Sequence, residues 1–372
     1  MDGLSESGTP LILGDQLRRA RLTVQLTYEQ VAEKLGIRKQ EVTDWEAGHA
    51  RPTLRQLEAL GELYGREVDY FLRQTAGPPV QFQFRSATEK SFRELAPEAL
   101  LVIARFDELC REAFELEHLL GKIRPIRIAP VSKGRHPSVL AREIRRSHGF
   151  GERPITKLRD HLGQRGVRIF ELVVPLNQFS GFSYWHAEYG PCILVNAGEL
   201  PGRRNFTLAH EFGHLLYHHR AFVCDIREEG EGSLINDERT ANLFGIEFLL
   251  PAEPVKEDVS RRGLSKRPSV KEVGTIAGRW GVSVQAMAYR LEDLGVVGRD
   301  WANAILASYR PERRYFKPSK TPTWERRLGA DFVSNTLQAY SEGHISLGKV
   351  SHYLGLPLRK AFEVGERYKK SR

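Results

Sequence analysis

One apolar segment near the middle of the chain constrains the fold more than any other. Residues 206–219 read FTLAHEFGHLLYHH, and apolar side chains surround the histidines and the glutamate. His210 and His214 are four residues apart, so in a helix their imidazoles lie on one face, about one turn from each other. Burying unpaired His and Glu side chains costs free energy unless something binds them. The segment therefore predicts a buried helix that holds a metal ion.

The arrangement is the HExxH pattern, in which two imidazoles and one further ligand hold zinc. Glu211 follows the first histidine directly and is the candidate general base for hydrolysis. We expect Zn²⁺ as the metal, with another divalent ion such as Mn²⁺ as the alternative. His218 and His219 end the segment and are expected to lie outside the metal site. The alternative interpretation is a pair of buried histidines whose hydrogen bonds are satisfied within the protein and which bind no metal.

A third ligand must come from another segment, and the next predicted helix offers one. This segment, residues 236–251, reads NDERTANLFGIEFLLP. Ala241 and Gly245 are spaced so that a second helix can approach closely. Glu238 lies on the same face three residues before Ala241, which makes it the favoured ligand. The competing acids are Asp225, Asp237 and Glu247.

The first 76 residues have the pattern of a small all-helical domain that binds DNA. Thr27 is a predicted N-cap for the helix YEQVAEKL. Ala32, Gly36 and Val42 have the spacing of the small residue, turn glycine and packing aliphatic of a helix-turn-helix. A generic pair of packed helices is the alternative.

Length and composition indicate a globular chain in a reducing compartment. The 372 residues are enough for two or three domains. The three cysteines are far apart and form no CxxC pair, which argues against a disulfide framework and against cysteine-ligated zinc. No apolar run approaches the roughly 20 residues of a membrane helix, and no signal-peptide pattern begins the chain. We expect a soluble cytoplasmic protein without membrane contact.

The positive charge of the chain is unevenly distributed. The formal net charge is +9, yet residues 1–75 carry 10 Lys and Arg against 12 Asp and Glu. Residues 301–372 carry 14 against 6. Tight non-specific DNA binding by the N-terminal module alone is therefore not expected. In the C-terminal region we expect a basic solvated helical bundle, with a second nucleic-acid contact as the alternative. Its stretch VSHYLGLPLRKA resembles VAEKLGIRKQEV of the N-terminal module, but the similarity is short enough to be coincidence.

The stretch LTYEQVAEKLGIRKQEVTDWEAGHARPTLRQLEALGELYGREVDYFL resembles the Xre/Cro family of repressor-like domains through all five expected helices. The resemblance implies sequence-specific binding to DNA through a recognition helix. Nine residues are implied near DNA, namely Tyr28, Gln30, Arg38, Lys39, Gln40, Glu41, Thr43, Asp44 and Arg51. Glu41 and Asp44 put acids on a face that would meet phosphates. The alternative is therefore that this domain binds a protein rather than DNA.

Residues 143–251 include the stretches SGFSYWHAEYGPCILVNAGELPGRRNFTLAHEFGHLLYH and ERTANLFGIEFLLP. Through stretches such as these, the segment resembles the ImmA/IrrE family of metallopeptidases. It implies a zincin-like fold and supports His210, His214 and Glu238 as ligands with Glu211 as general base. It also implies a strand beside the active-site helix whose edge receives an extended substrate by strand addition. The residues of this strand are Cys192, Ile193, Leu194, Val195 and Asn196.

We therefore predict an α+β, mostly helical chain in five parts. In order, they are a five-helix helix-turn-helix domain (1–76), a linker and helical connector (77–125), a zincin-like α+β peptidase domain (126–255), a helical cap (256–300) and a basic helical C-terminal region (301–372).

The predicted function is a DNA-binding regulator with a zinc-dependent endopeptidase domain. The family resemblance suggests an Xre-type repressor as the protein substrate, in a stress, phage or mobile-element response, and a homodimer is also considered. The alternative is a transcriptional regulator whose metallopeptidase-like domain senses a signal and cuts nothing. Glu211 favours hydrolysis, because a pure sensor needs the ligands but not the general base. A toxin–antitoxin or phage-defence component without peptidase activity is a third use of the same architecture.

Overall fold

A computed structural model describes residues 9–72, 95–131, 134–175, 178–217, 231–264, 266–308 and 322–371. The chain forms two compact units, the first ending at Glu112 and the second beginning at Ala113. The described residues are mostly helical and include one three-stranded sheet. The predicted fold class, α+β and mostly helical, is confirmed.

The first unit begins with five helices. They are α1 (Thr9–Thr23), α2 (Tyr28–Leu35), α3 (Lys39–Ala47), α4 (Leu54–Tyr64) and α5 (Val68–Phe71). The Thr27 side chain accepts a hydrogen bond from the Gln30 N–H and caps α2, as predicted. Gly36 ends α2 with φ 65°, a left-handed conformation that glycine adopts without steric cost. Val42 of α3 is buried, so the spacing of the predicted helix-turn-helix is reproduced in the fold.

Helix α6 (Pro97–Leu119) begins in the first unit and ends in the second. Its first half packs on the helix-turn-helix domain through a buried arginine. Arg66 donates one hydrogen bond to the Asp107 carboxylate at 3.2 Å and another to the Ala104 carbonyl at 3.1 Å. Removing one partner of a buried ion pair leaves the other charge uncompensated, so this contact ties α6 firmly to the domain. Residues 95–112, a described part of the expected connector, thus belong to the first unit.

The described part of the second unit contains the sheet and twelve complete helices around it. Its first elements are α7 (Pro137–Ser147), α8 (Leu158–Gly163), β1 (Arg168–Leu172), β2 (Gly181–His186), β3 (Gly190–Asn196), α9 (Pro201–Tyr217) and α10 (Glu231–Leu249). Then follow α11 (Ala252–Arg261), α12 (Val270–Trp280), α13 (Val284–Asp293), α14 (Arg299–Ser308), α15 (Trp324–Leu328), α16 (Ala330–Ser341), α17 (Leu347–Leu354) and α18 (Leu358–Lys370). Among the described helices, none has the length and apolar character needed to cross a membrane.

Strand β3 is the central strand of the sheet, whose order is β1-β3-β2. It runs parallel to β1 and antiparallel to β2, so that Ile193 lies between Ile169 and Ser183. Residues 192–196 do form a strand, but the expectation that this strand offers an edge to a substrate was wrong. Both of its edges are hydrogen-bonded to neighbouring strands. All seven residues of β3 are buried, as is typical of a central strand.

Helices α9 and α10 pack closely because small residues line their contact. A Cβ atom added to Gly213 would lie 3.0 Å from the Phe244 ring and 3.3 Å from the Ala241 Cα. A Cβ atom added to Gly245 would lie 3.4 Å from the backbone nitrogen of His210. Ala241 and Gly245 thus bring α10 against the HExxH helix, as their spacing predicts.

The core of the second unit surrounds α9. Phe212 on α9 packs against Phe244 and Phe248 on α10, with ring centroids 5.8 Å apart in both pairs. All three side chains are fully buried, and each contributes roughly 1.5–3 kcal/mol of hydrophobic stabilisation. Helix α9 also contacts β2 and β3, so the HExxH segment lies between the sheet and α10.

Gly202, in the first turn of α9, provides a test of this packing. A Cβ atom there would lie 2.4 Å from the carbonyl carbon of Val282 and 2.5 Å from the backbone nitrogen of Ser283. Because backbone atoms cannot move aside without wider rearrangement, we expect Gly202→Ala to lower the free energy of unfolding by about 1–3 kcal/mol. Urea denaturation followed by circular dichroism measures the change.

Gly278, in α12, is the matched control. No described atom lies within 4 Å of a Cβ added at this position. Since alanine favours a helix over glycine by about 0.5–1 kcal/mol, Gly278→Ala is expected to be neutral or stabilising. If Gly202→Ala and Gly278→Ala lower the free energy of unfolding equally, the contact between α9 and the turn that joins α12 to α13 is contradicted.

Candidate metal centre and DNA-binding face

The three predicted ligands meet between α9 and α10. The Nε2 atoms of His210 and His214 are 3.1 Å apart. The Glu238 carboxylate lies 3.4 Å from His210 Nε2 and 3.2 Å from His214 Nε2. One ligand atom from each residue falls within 4.8 Å of the others. Two nitrogens and one oxygen converging in this way suit a zinc ion, which commonly takes three protein ligands at hydrolytic sites.

This cluster is largely withdrawn from solvent. The side chains of His210, His214 and Glu238 are 13%, 10% and 15% exposed. Both Glu238 oxygens are buried, and the two imidazoles are the groups that face them. Burial raises the pKa of Glu238, but its pairing with His210 and His214 outweighs this effect and lowers the pKa to about 2. The carboxylate is therefore ionised at neutral pH, as a metal ligand must be.

Glu211 lies next to the cluster, and strand β2 holds its carboxylate. Ser183 donates a hydrogen bond to Glu211 Oε2 at 2.7 Å. A Cβ atom on Gly181 would lie 2.9 Å from Glu211 Oε1 and 2.3 Å from Thr207 Cγ2. A glycine at position 181 is thus what lets β2 approach the carboxylate so closely.

Gly181 and Ser183 were not predicted as members of the site. The available signal is their spacing, because residues two apart on a strand face the same side of the sheet. The segment GFSYWH alternates between half-buried and buried residues, which is consistent with that pattern. Which face meets α9 depends on how the strands pair, and local sequence does not encode this pairing.

The competing acids that the structure describes are not part of the ligand cluster. Glu247 accepts a hydrogen bond from Arg290 at 2.8 Å and forms an ion pair with it. Asp237 precedes Glu238 on α10 but is not part of the described cluster of His210, His214 and Glu238. The remaining candidates, His218, His219 and Asp225, lie outside the described residues.

The recognition helix α3 presents its predicted contacts at the surface, where acids partly neutralise them. Arg38 Nε lies 3.3 Å from Glu41 Oε2. Lys39 Nζ lies 2.6 Å from Glu29 Oε1, and the hydrogen bond from Lys39 lowers the pKa of Glu29 to about 2. These acids partly offset the positive charge that the two cations offer to phosphate.

The remaining groove-facing candidates interact within α3. Gln40 donates a hydrogen bond to Asp44 Oδ1 at 2.8 Å, and the Thr43 hydroxyl donates to the Gln40 carbonyl at 2.8 Å. Arg51 is exposed just before α4. Glu41 and Asp44 are partly exposed on α3, and the family resemblance assigns this face of the helix to DNA.

Tyr28 and Gln30 lie in the first turn of α2. The Gln30 side chain accepts a hydrogen bond from the Thr27 N–H at 2.8 Å and completes the cap of this helix. The Tyr28 ring lies 4.0 Å from the Arg21 guanidinium, a cation–π contact. Both predicted phosphate contacts therefore also stabilise the domain.

Comparisons with known proteins fall on two parts of the chain. Residues 12–69 match a family model described as a helix-turn-helix domain, and residues 162–292 match one described as an IrrE N-terminal-like domain. The uncharacterized HTH-type transcriptional regulator YobD of Bacillus subtilis is 38% identical over 74 residues. These are 20% of this chain and 66% of that protein.

Two further relatives match the other part. The radiation response metalloprotease IrrE of Deinococcus deserti is 32% identical over 104 residues, 27% of this chain and 36% of that protein. The protein of the same name from Deinococcus radiodurans is 31% identical over 104 residues, 27% of this chain and 30% of that protein. The chain thus spans only about a third of the length of these metalloproteases.

Glu238 and its neighbour Asp237 give a direct test of the ligand set. We expect Glu238→Gln to weaken zinc binding at least about tenfold, because the amide removes the negative charge of an oxygen ligand. Asp237→Asn should leave binding unchanged. Titration of zinc against a chromophoric chelator measures both affinities. Loss of zinc in Asp237→Asn with retention in Glu238→Gln would contradict the cluster.

The acids on α3 give a second test. Replacing Glu41 and Asp44 together, as Glu41→Gln with Asp44→Asn, should tighten non-specific binding to duplex DNA severalfold, because two negative charges leave the face that the family resemblance assigns to DNA. The matched control removes two exposed acids of α4, as Glu58→Gln with Glu62→Gln. Fluorescence anisotropy at low salt measures the affinities. An equal gain in both double variants would mean that net charge alone controls binding.

Proposed function

We propose that this chain, in which a helix-turn-helix domain precedes an IrrE-like metallopeptidase domain, is a DNA-binding regulator that also cleaves a protein partner. One observation carries the proposal: the Glu211 carboxylate is held by Ser183 beside the convergent His210, His214 and Glu238. A domain that only senses metal or signal needs three ligands but no positioned carboxylate. The geometry therefore favours hydrolysis over a non-proteolytic sensor.

We propose that His210, His214 and Glu238 hold Zn²⁺, with another divalent metal as the alternative. The bound metal supplies a Lewis acid that polarises the scissile carbonyl and activates water. Two imidazoles and one carboxylate leave a coordination position for substrate at zinc sites of this type. The ionised Glu238 partly balances the charge of the cation, and its burial keeps that attraction strong.

Glu211 is the proposed general base. Its carboxylate accepts a proton from the attacking water and delivers it to the leaving amine. The hydrogen bond from Ser183 restrains the orientation of the carboxylate, so less freedom is lost when substrate binds. Gly181 maintains the space in which this carboxylate lies.

The proposed substrate strand is β2 rather than residues 192–196. Among the described strands, β2 pairs with β3 alone, so its outer edge has no strand neighbour there. An extended peptide can add to such an edge through main-chain hydrogen bonds, largely independent of its side chains. Because Gly181 and Ser183 of β2 lie against Glu211, a peptide on this edge would run close to the general base.

The proposed partner is an Xre-type repressor, cleaved in a stress, phage or mobile-element response. The resemblance to the ImmA/IrrE family supports this substrate class, and the names of the two Deinococcus relatives associate them with a radiation response. Helix-turn-helix domains of this type commonly bind two half-sites as dimers, so a homodimer is part of the proposal.

Cleavage by wild type and Glu211→Gln is the deciding experiment. Purified Xre-type repressors encoded near the gene are incubated with each protein and zinc, and mass spectrometry identifies the fragments. We expect wild type to cut at a defined bond and Glu211→Gln to be slower by at least about 10²-fold, the usual contribution of a general base. Ser183→Ala should give a smaller loss, because it only frees the carboxylate.

Zinc content is the control for these variants, since neither change removes a ligand. Unchanged zinc with lost cleavage supports the role of Glu211. The peptidase hypothesis fails if wild type cleaves no repressor and zinc changes the DNA affinity of wild type and Glu211→Gln equally. The non-proteolytic sensor would then be the better account of this chain.

A further inference from the structure

Three segments of this chain share one backbone arrangement of helix, turn and helix. They are α2–α3, α12–α13 and α17–α18. In each, the first helix is followed by a left-handed glycine. The three are Gly36 (φ 65°, ψ 35°), Gly281 (φ 68°, ψ 28°) and Gly355 (φ 61°, ψ 37°). An aliphatic residue and the N-cap of the second helix follow each glycine.

The three turns also share one hydrogen bond. The residue after each glycine donates its N–H to the carbonyl five residues earlier, at 3.0 Å in every case. The pairs are Ile37 with Ala32, Val282 with Ala277, and Leu356 with Ser351. The short similarity between residues 31–42 and 350–361 is therefore accompanied by the same backbone geometry.

This geometry alone does not indicate DNA binding, as α12–α13 demonstrates. Val284, Met287, Ala288 and Leu291 of α13 are buried in the core of the second unit. The turn before them supports α9 through Asn205, whose side-chain amide donates to the Gly281 carbonyl at 3.0 Å. The second helix of this pair is thus committed to packing.

Helix α18 differs from α13 because it is exposed and basic. Its 13 residues include five Lys and Arg against two Glu. Its buried residues are Ala361 and Gly365, and a Cβ atom on Gly365 would lie 2.7 Å from the Tyr340 ring of α16. One side of α18 therefore packs on α16, and the basic side remains exposed.

Three cations on this exposed side are available to a partner. Lys360, Arg367 and Lys370 are spaced at i, i+7 and i+10, which places them along one side of the helix. All three are exposed, and none forms an ion pair with another described residue, whereas Arg359 and Lys369 of the same helix pair with Glu363 and Glu366. On α3, by contrast, both Arg38 and Lys39 are paired with acids.

The positions of α18 that correspond to the predicted DNA contacts of α3 carry different chemistry. Counted from the turn glycine, Lys39, Gln40, Glu41, Thr43 and Asp44 correspond to Leu358, Arg359, Lys360, Phe362 and Glu363. Leu358 and Phe362 are 56% and 50% exposed. Apolar side chains at such positions can contact the methyl groups of thymine in the major groove. The acid at position 41 is replaced by the cation Lys360.

We propose that α16, α17 and α18 form a second DNA-binding helix-turn-helix, with α18 as the recognition helix in the major groove of duplex DNA. The turn geometry places α18 as α3 is placed in the first domain, and the charge of α18 is complementary to phosphate. The Phe332 and Tyr353 rings, with centroids 6.1 Å apart, join α16 to α17, and Gly365 of α18 packs against the Tyr340 ring of α16.

The test removes the three cations from the full-length protein, as Lys360→Gln with Arg367→Gln and Lys370→Gln. Binding to a fluorescent 20-base-pair duplex of arbitrary sequence is measured by anisotropy over a salt series. We expect the affinity at low salt to fall at least about tenfold and the slope of log K against log salt to decrease by about two to three, roughly one per lost phosphate contact.

The matched control removes three exposed lysines from another surface, as Lys256→Gln, Lys266→Gln and Lys271→Gln. It should retain most of the affinity. A variant of the first domain, Lys39→Ala with Gln40→Ala, is measured in parallel so that failure of that domain is distinguished from failure of α18. Circular dichroism confirms that each variant is folded.

Several results would overturn the proposal. These are equal losses in the α18 and control variants, an unchanged salt slope in the α18 variant, or no detectable binding by wild type at low salt. The α18 substitutions can also be made in the Lys39→Ala, Gln40→Ala background. If they still reduce the salt slope there, the two helices contact DNA independently. Preferred binding to a single-stranded or RNA probe over duplex DNA would also contradict it.

Discussion

The close contact between α9 and α10 is the constraint on which the candidate site depends. Gly213, Ala241 and Gly245 keep side chains out of the contact, so that Glu238 comes within 3.4 Å of both imidazoles. Larger residues at these positions would separate the helices and remove the third ligand while leaving HExxH intact. A complete ligand set therefore requires the small residues as well as the ligands. Gly213, Ala241 and Gly245 together with the ligands distinguish this arrangement from a chance HExxH motif.

Much of the site was predictable because helical periodicity is local. The four-residue spacing of His210 and His214 and the phase of Glu238 relative to Ala241 follow from 3.6 residues per turn. The order of the strands was not predictable, since pairing joins residues distant in sequence. The run CILV favours a strand buried on both sides, and this property of β3 indicates a central strand rather than an edge. Ser183 was missed for the same reason, because only strand pairing brings it to Glu211.

The two exposed helix-turn-helix segments differ in charge: α3 carries acids on its exposed face, and α18 is basic. On α3, Glu41 and Asp44 place negative charge on the face that the family resemblance assigns to DNA, and on that assignment they would weaken binding to DNA of any sequence. On α18, Lys360, Arg367 and Lys370 pair with no other described residue, and their attraction for phosphate would not depend on DNA sequence. We infer that the net charge of +9 is better understood from this distribution than from its total. The same backbone turn also occurs in α12–α13, where it serves packing, so surface chemistry rather than fold decides its use.

The turn between α12 and α13 has a consequence for how the ligands are held in place. Gly202 and Asn205, at the start of α9, lie against this turn, and Phe212 farther along is enclosed by the rings of α10. The ligand-bearing helix thus has partners along most of its length and cannot fray without exposing the core. Its opening is coupled to cooperative unfolding of the surrounding unit. The side chains of His210 and His214 would then keep their spacing for as long as the unit stays folded, with or without a bound ion.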